Sequence, residues 1–148
     1  MNKLTLAILK PDAIARKLTG KIITQINEAG FKIIAMRMLK LSRETATGFY
    51  KIHKDKPFFE ELLEYMTSGP CIPIALQKEN AVEDFRKLIG STDPNNAMAG
   101  TIRARFAEDI THNIIHGSDS PENAQNEIAF FFARKQMIDN YDFIVDED

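Results

Sequence analysis

The run from Leu4 to Leu9 is apolar apart from Thr5. Leu4, Leu6 and Ile8 fall on one side of an extended chain and Thr5, Ala7 and Leu9 on the other, which predicts a strand largely covered on both faces. Lys10-Pro11-Asp12 ends it. Thr19 is placed to cap a helix whose apolar stripe is Ile22, Ile23, Ile26 and Ala29, with Gly30 as its stop. Phe31 to Leu41 has the β-branched and apolar content of a second strand, and Arg37 and Lys40 mark it as a partly exposed edge. Ser42-Arg43-Glu44 opens a helix, and Pro57 begins another through Phe58, Leu62, Leu63 and Tyr65. Ser68-Gly69-Pro70 turns the chain into a third strand, Cys71 to Gln77. Proline donates no ladder hydrogen bond, so a bulge or a late start is expected at Pro73. Glu79 to Leu88 has helical spacing, and Ile128 to Phe132 predicts a short fourth strand.

The order β-α-β-(αα)-β-α-β predicts an α+β, ferredoxin-like split βαβ fold: a four-stranded antiparallel sheet with helices on one face. The 148 residues make a single domain spanning 1–148. Two long polar segments, Gly90 to Asp109 and Thr111 to Glu127, exceed what that fold needs, and loops of such length are usually functional. The acidic stretch after Asp139 reads as a solvated terminus.

Composition then removes whole classes. Hydrophobic residues are 44% and charged residues 27%, which excludes a disordered or coiled-coil chain. The net charge of −2 argues against a nucleic-acid binder. The single cysteine, Cys71, builds neither an internal disulfide nor a thiolate metal cluster. No apolar run reaches the ~20 residues of a membrane span, and the N-terminal run is too short for a secretory leader. A cytoplasmic protein without membrane or specific nucleic-acid partners is expected.

The chemistry concentrates in Asn113-Ile114-Ile115-His116-Gly117-Ser118-Asp119-Ser120. A neutral imidazole is a good nucleophile, since its unshifted pKa is ~6.5. Gly117 would let a group approach the ring, and Ser118 and Glu127 could fix which nitrogen attacks. An isolated His-Gly is more often a turn than a site. His53 reads as a surface residue at a lysine-rich helix end. His112 and His116 stand four apart, a metal-binding spacing on a helix, but without the H-E-x-x-H pattern.

NIIHGSDS with Glu127 downstream resembles the active-site segment of nucleoside diphosphate kinases, of the bacterial type with a short C-terminus. The likeness continues through LKPDA, KPFFEELLEYMTSGP and TDPNNAMAGTIR, nearly the whole chain. The resemblance implies γ-phosphoryl transfer from a nucleoside triphosphate, mainly ATP, to a nucleoside diphosphate. The exchange is ping-pong through a phosphohistidine on His116, with Mg²⁺ as cofactor. It further implies that Glu127 and Ser118 orient His116 and that Tyr50 lies beside it. Lys10 and Asn113 would hold the ribose 3′-hydroxyl region, Phe58 would stack on the base, and Arg86, Thr92 and Arg103 would contact phosphates. A homo-oligomer follows, a hexamer of three dimers or a tetramer. From the residues alone, the apolar Phe31–Leu41 edge needs a partner, which a two-fold dimer supplies.

Physical chemistry agrees with that likeness. Phosphoryl transfer needs positioning and charge stabilisation, and arginine's fork suits phosphate oxygens. No Gly-x-x-x-x-Gly-Lys-[Ser/Thr] cradle is present, so side chains must hold the phosphates. Three positions depart from the usual pattern: Ala99 replaces a common proline, Arg105 stands where aspartate is common, and Pro73 sits inside a strand. Arg105 adds a positive charge near the nucleotide or near a subunit interface. The rival reading is a catalytically minor ferredoxin-like nucleotide- or RNA-binding oligomer. An RNA module wants alternating exposed aromatics and a basic face, whereas Phe130-Phe131-Phe132 is a consecutive run.

Overall fold

The computed structural model describes residues 3–145. Four antiparallel strands, β1 (Leu4–Leu9), β2 (Lys32–Met36), β3 (Ile72–Gln77) and β4 (Ile115–Gly117), lie in the order β2-β3-β1-β4. The helices are α1 (Pro11–Ala15), α2 (Thr19–Glu28), α3 (Arg43–Phe49), α4 (Phe59–Met66), α5 (Ala81–Ile89), α6 (Ile102–Phe106), α7 (Pro121–Phe131) and α8 (Arg134–Val145). This is the expected α+β arrangement of four antiparallel strands with helices packed on them.

The helices cover both faces of the sheet, not one. Leu6 and Ile8 of β1 pack with Tyr50, Leu63 and Ile128, under α3, α4 and α7. Ala7 and Leu9 pack with Ile22, Ile26, Phe85 and Ile102, under α2, α5 and α6. The reason lies in the strands themselves: β1 is apolar on both sides and every residue of β3 is buried, so each face must be sheltered from water.

The fourth strand is also not where the hydrophobic run suggests. Ile128–Phe131 is the last turn of α7, and Phe132 follows it. A short apolar run has no periodicity that separates strand from helix. Ser120 caps α7 by accepting the Asn123 N–H at 3.1 Å, Pro121 opens it, and Ala124, Ile128 and Phe131 form its buried stripe. The strand that completes the sheet is Ile115–Gly117, within a segment expected to be a loop.

β2 is a sheet edge, as expected, but its ladder ends at Met36, well before Leu41. The register puts Arg37 opposite Pro73, and the Arg37 N–H donates to the Pro73 carbonyl at 3.3 Å. The return bond is the one proline cannot make. Pairing resumes only as an isolated bridge, Leu39 with Cys71. β3 starts at Ile72, one residue past the expected Cys71, and runs regularly through Pro73; the irregularity falls in its partner, between Ile33 and Ala35. α8 leans on β2, where Asn140 Nδ2 donates to the Ile34 carbonyl at 2.8 Å. Met137, Tyr141 and Ile144 pack against the core, so the acidic stretch is structured through Val145; residues 146–148 lie outside the described residues. At the helix starts, Ser42 caps α3 through the Thr45 N–H at 3.0 Å, whereas Thr19 forms no cap and α2 follows Leu18.

Candidate active site

β4 pairs with β1 so that His116 lies opposite Ile8 and Ile115 opposite Leu9. Side chains alternate along a strand, so His116 projects to the face covered by α3 and α7 while Ile115 enters the other core. On α7, Glu127 occupies the inward stripe between Ala124 and Ile128. Its Oε1 lies 2.8 Å from His116 Nε2 and accepts the Ser118 hydroxyl, also at 2.8 Å. Ser118 is fully buried; its backbone N–H donates to the Leu6 carbonyl, and its Oγ accepts the Leu6 N–H, both at 3.2 Å. The triad His116–Glu127–Ser118 is thereby bolted to the central strand. The Phe49 ring meets the imidazole edge-to-face at 5.7 Å.

The expected role of Gly117 changes. A Cβ there would lie 2.9 Å from Ile89 Cδ1 and 3.0 Å from Phe85 Cδ2. The glycine lets β4 close against α5; it does not open space beside the imidazole. Ahead of His116, Ile114 is held at φ +73°, and the Ile115 N–H donates to the Asn113 carbonyl at 2.8 Å. That is a γ-turn of the strained, positive-φ kind, and it aims Asn113 away from the strand. Asn113 Oδ1 accepts Lys10 Nζ at 2.7 Å.

A cavity of about 610 Å³ collects nearly every residue singled out from the sequence: Lys10, Tyr50, Phe58, Arg86, Thr92, Arg103, Asn113, His116 and Glu127. Ser118 lies beneath its floor. Lys10 is buried, and desolvation first, then the charge of Arg103, draws its pKa down to about 7. Arg103 is drawn down to about 10 by burial and by Arg86. Its guanidinium donates to the carbonyls of Gly90 at 2.9 Å and Ile115 at 2.8 Å, tying the segment after α5 to the histidine strand. Lys10, Arg86 and Arg103 thus gather three basic side chains at one end of the cavity, an arrangement suited to an anion.

Several contributors escaped the sequence. His53, expected at the surface, is half-buried and lines the cavity; its ring lies 5.8 Å from Phe58 and 6.5 Å from Tyr50. His53 Nδ1 and the Tyr50 hydroxyl are buried without a partner among the described residues, as polar atoms of functional cavities often are. Burial raises the Tyr50 pKa further above its ordinary value. Ile52 and Ile110, both exposed, stand with Phe58 at the cavity mouth. Asp119 also lines it. Phe49 lay beside Tyr50 with no spacing to distinguish it from core. His112 does not join His116: the four-residue spacing falls across a turn and strand, and His112 Nδ1 lies 3.2 Å from Asp109. Among the described residues no group of three His, Cys, Asp or Glu could hold a metal ion, and no helix is long and apolar enough to cross a membrane.

Arg105 faces away from this cavity. Its Nη1 donates to Gln25 Oε1 on α2, and its guanidinium stacks 4.6 Å from the Phe106 ring centroid.

The model of the nucleoside diphosphate kinase family matches residues 3–137. A nucleoside diphosphate kinase of Salinibacter ruber is 52% identical over 136 residues, covering 92% of this chain and 96% of its own. One from Chlorobaculum tepidum is 54% identical over 134 residues, covering 90% of this chain and 96% of its own. Among solved structures, the Aquifex aeolicus enzyme superposes with a TM-score of 0.88 at 43% identity, covering 90% of this chain and 97% of that one. The Halobacterium salinarum enzyme in complex with CDP gives 0.87 at 36% identity, covering 92% of this chain and 91% of that one. With the family model, the sequences of the relatives and the fold of the solved structures all in agreement, the chain belongs to the nucleoside diphosphate kinase family and is a phosphotransferase acting on nucleotides.

Proposed function

We propose that His116 Nδ1 carries the phosphoryl group in this chain's nucleoside diphosphate kinase reaction. The observation that carries the proposal is the 2.8 Å contact between His116 Nε2 and Glu127 Oε1 inside a cation-lined cavity. A carboxylate accepts, so Nε2 bears the hydrogen and Nδ1 keeps its lone pair. That pair forms a bond to the γ-phosphorus. The bond from phosphorus to the β–γ bridging oxygen breaks, its electrons leaving on the diphosphate. A second diphosphate then attacks the phosphohistidine with its terminal oxygen and restores the free imidazole. The imidazolium formed on phosphorylation is stabilised by Glu127, itself steadied by Ser118.

Lys10, Arg86 and Arg103 offset charge on the phosphate oxygens, with Thr92 as a hydroxyl partner beside them. Asn113 and Lys10 serve the ribose side, and Tyr50 shares the cavity with the reacting ring, against which Phe49 is packed. Phe58, facing Ile52 and Ile110 at the mouth, offers an apolar stacking surface. Stacking accepts any base because each has a π-face, which supports low base selectivity. One carboxylate in the cavity, Asp119, is not engaged with His116 and fits Mg²⁺ held mainly by the nucleotide's phosphates. When bound, Mg²⁺ would supply charge neutralisation at the phosphate oxygens, and Asp119 would help to hold it.

The whole chain acts as one catalytic domain, in the cytoplasm, where a lone buried thiol stays reduced. The β2 edge, with Met36 48% and Met38 59% exposed, supports a two-fold dimer as the unit of a hexamer, a tetramer being the other assembly. Incubation with Mg-ATP followed by intact-mass analysis tests the chemistry. An acid-labile phosphoryl adduct on the wild type, absent from His116→Ala, is expected; an adduct of equal yield on that variant rejects the assignment.

A further inference from the structure

Residues 90–107 carry Thr92 and Arg103 to the phosphate end of the cavity, yet their local structure is slight: one 3₁₀ turn (Pro94–Asn96) and the five-residue α6. Helices that short do not hold themselves. The inner side of the segment is fixed by Arg103, through its two carbonyl contacts, and by Gly90. At φ +89°, a Cβ on Gly90 would come within 2.5 Å of Thr101 Oγ1.

The outer side is fixed by one amide on α2. Gln25 Nε2 donates to the Gly100 carbonyl at 2.9 Å, while Gln25 Oε1 accepts Arg105 Nη1. A carbonyl on one side and a guanidinium on the other leave this amide a single orientation, because a flip would break both bonds. Gly100 immediately precedes Thr101, which caps α6 by accepting the Ala104 N–H at 3.3 Å; Arg105 is in the last turn of the same helix. Gln25 therefore grips α6 at both ends, with Arg103 between them. Arg16, just beyond α1, adds a bond from its Nη1 to the Phe106 carbonyl at 2.6 Å.

We infer that Gln25 and Arg105 form a clasp that preorganises α6 so that Arg103 meets the nucleotide phosphates without a prior ordering step. Both are positioning residues, since neither lines the cavity. The inference rests on the phosphate role proposed for Arg103. If the clasp is released, the competent loop is only partly populated, and apparent affinity falls by that fraction while the rate of the assembled complex is kept.

The test uses Gln25→Ala, Arg105→Ala and the double variant, all on polar, partly exposed positions. Hydrogen exchange of the nucleotide-free protein should show the amides of residues 101–107 exchanging roughly fivefold faster or more, with the sheet unchanged. KM for nucleoside diphosphates should rise roughly fivefold with kcat within about twofold. The double variant should add nothing to Gln25→Ala, because that substitution alone removes both bonds of the clasp. Unchanged exchange at 101–107 in Gln25→Ala overturns the clasp, whatever the enzyme does. Faster exchange with unchanged KM overturns its tie to phosphate binding, and a KM rise that appears only with a fall in molecular mass by light scattering overturns it as an effect of assembly. If His116→Ala shows the phosphate reading of the cavity to be wrong, the exchange measurement still decides whether the clasp exists.

Discussion

The two walls of the cavity are built differently. On the histidine wall, a short strand, the central strand and α7 supply contacts that run from half-buried to fully buried groups: His116 to Glu127, Glu127 to Ser118, Ser118 to Leu6. On the wall proposed to receive the nucleotide, Phe58, Thr92 and Ile110 stand largely exposed at a helix start and in bends, and Arg86 is exposed on the last turn of α5. The nucleophile proposed for the reaction, which must be aimed to within a fraction of an ångström, is anchored in the sheet. On the proposed reading, the wall that receives the nucleotide takes its fit from stacking and charge. Arg103 belongs to both, lining the phosphate side while bonded to the Ile115 carbonyl next to His116.

If that contrast holds, damage to the first wall should fall on the chemical step and damage to the second on binding. His116→Ala should give the largest effect, a loss of exchange of roughly 10⁴-fold or more, with nucleotide binding by calorimetry nearly intact. Glu127→Ala should come next. Without the carboxylate the imidazole is free to rotate and to shift tautomer, so single-turnover transfer should slow roughly 10²-fold while KM moves by less than about threefold. A KM effect larger than the kcat effect would break the comparison.

On the second wall, Phe58→Ala should raise KM for every base by a similar factor, roughly three- to tenfold, leaving kcat nearly unchanged. Base-dependent losses would point to a polar contact at the mouth. Lys10 joins the walls and adds a pH signature. Its folded pKa, about 7, lies below the ordinary 10.5. Between these values the unfolded chain holds the extra proton, so this group makes stability rise with pH. Below about 7 both states are protonated and the cost of the buried charge is fully present. Lys10→Met should therefore gain most in Tm over wild type at pH 6, the gap closing as pH rises toward 10.

How far the sequence could be read follows the same division. The residues of the cavity were legible through ordered motifs, each bound to a neighbouring segment by resemblance. Their physical placement was legible only where a pattern is long: β1 and β3 are continuous apolar runs, and α2 has a clear stripe. β4 has three residues, too few for alternation to register, and the apolar end of α7 imitates the strand it is not. His53 sits in a 3₁₀ turn, where no periodicity indicates which way a side chain faces. The direction of Arg105 depended on Gln25, far away along the chain. One oddity was misplaced for a plain reason: Pro73 keeps its own strand regular, and the missing bond appears as an early end to β2.

The smallest expected effect concerns Ala99, which stands where proline is common. The Thr101 N–H donates to the Met98 carbonyl at 3.2 Å, and Gly100 has φ +90°. Met98-Ala99-Gly100-Thr101 is thus a type II turn, with glycine at the position that requires positive φ and Ala99 at the position proline favours. Proline would match the turn and remove freedom from the unfolded chain, a gain of about 0.4–1 kcal/mol. Because Gln25 already holds the Gly100 carbonyl, the folded turn has little left to rearrange. Ala99→Pro should therefore raise the urea midpoint slightly and leave kcat unchanged. If the turn also meets a neighbouring subunit, the larger gain should appear as resistance of the oligomer to dissociation, read by light scattering along the same urea series. A lower midpoint would mean that this turn does not keep its geometry in the assembled protein.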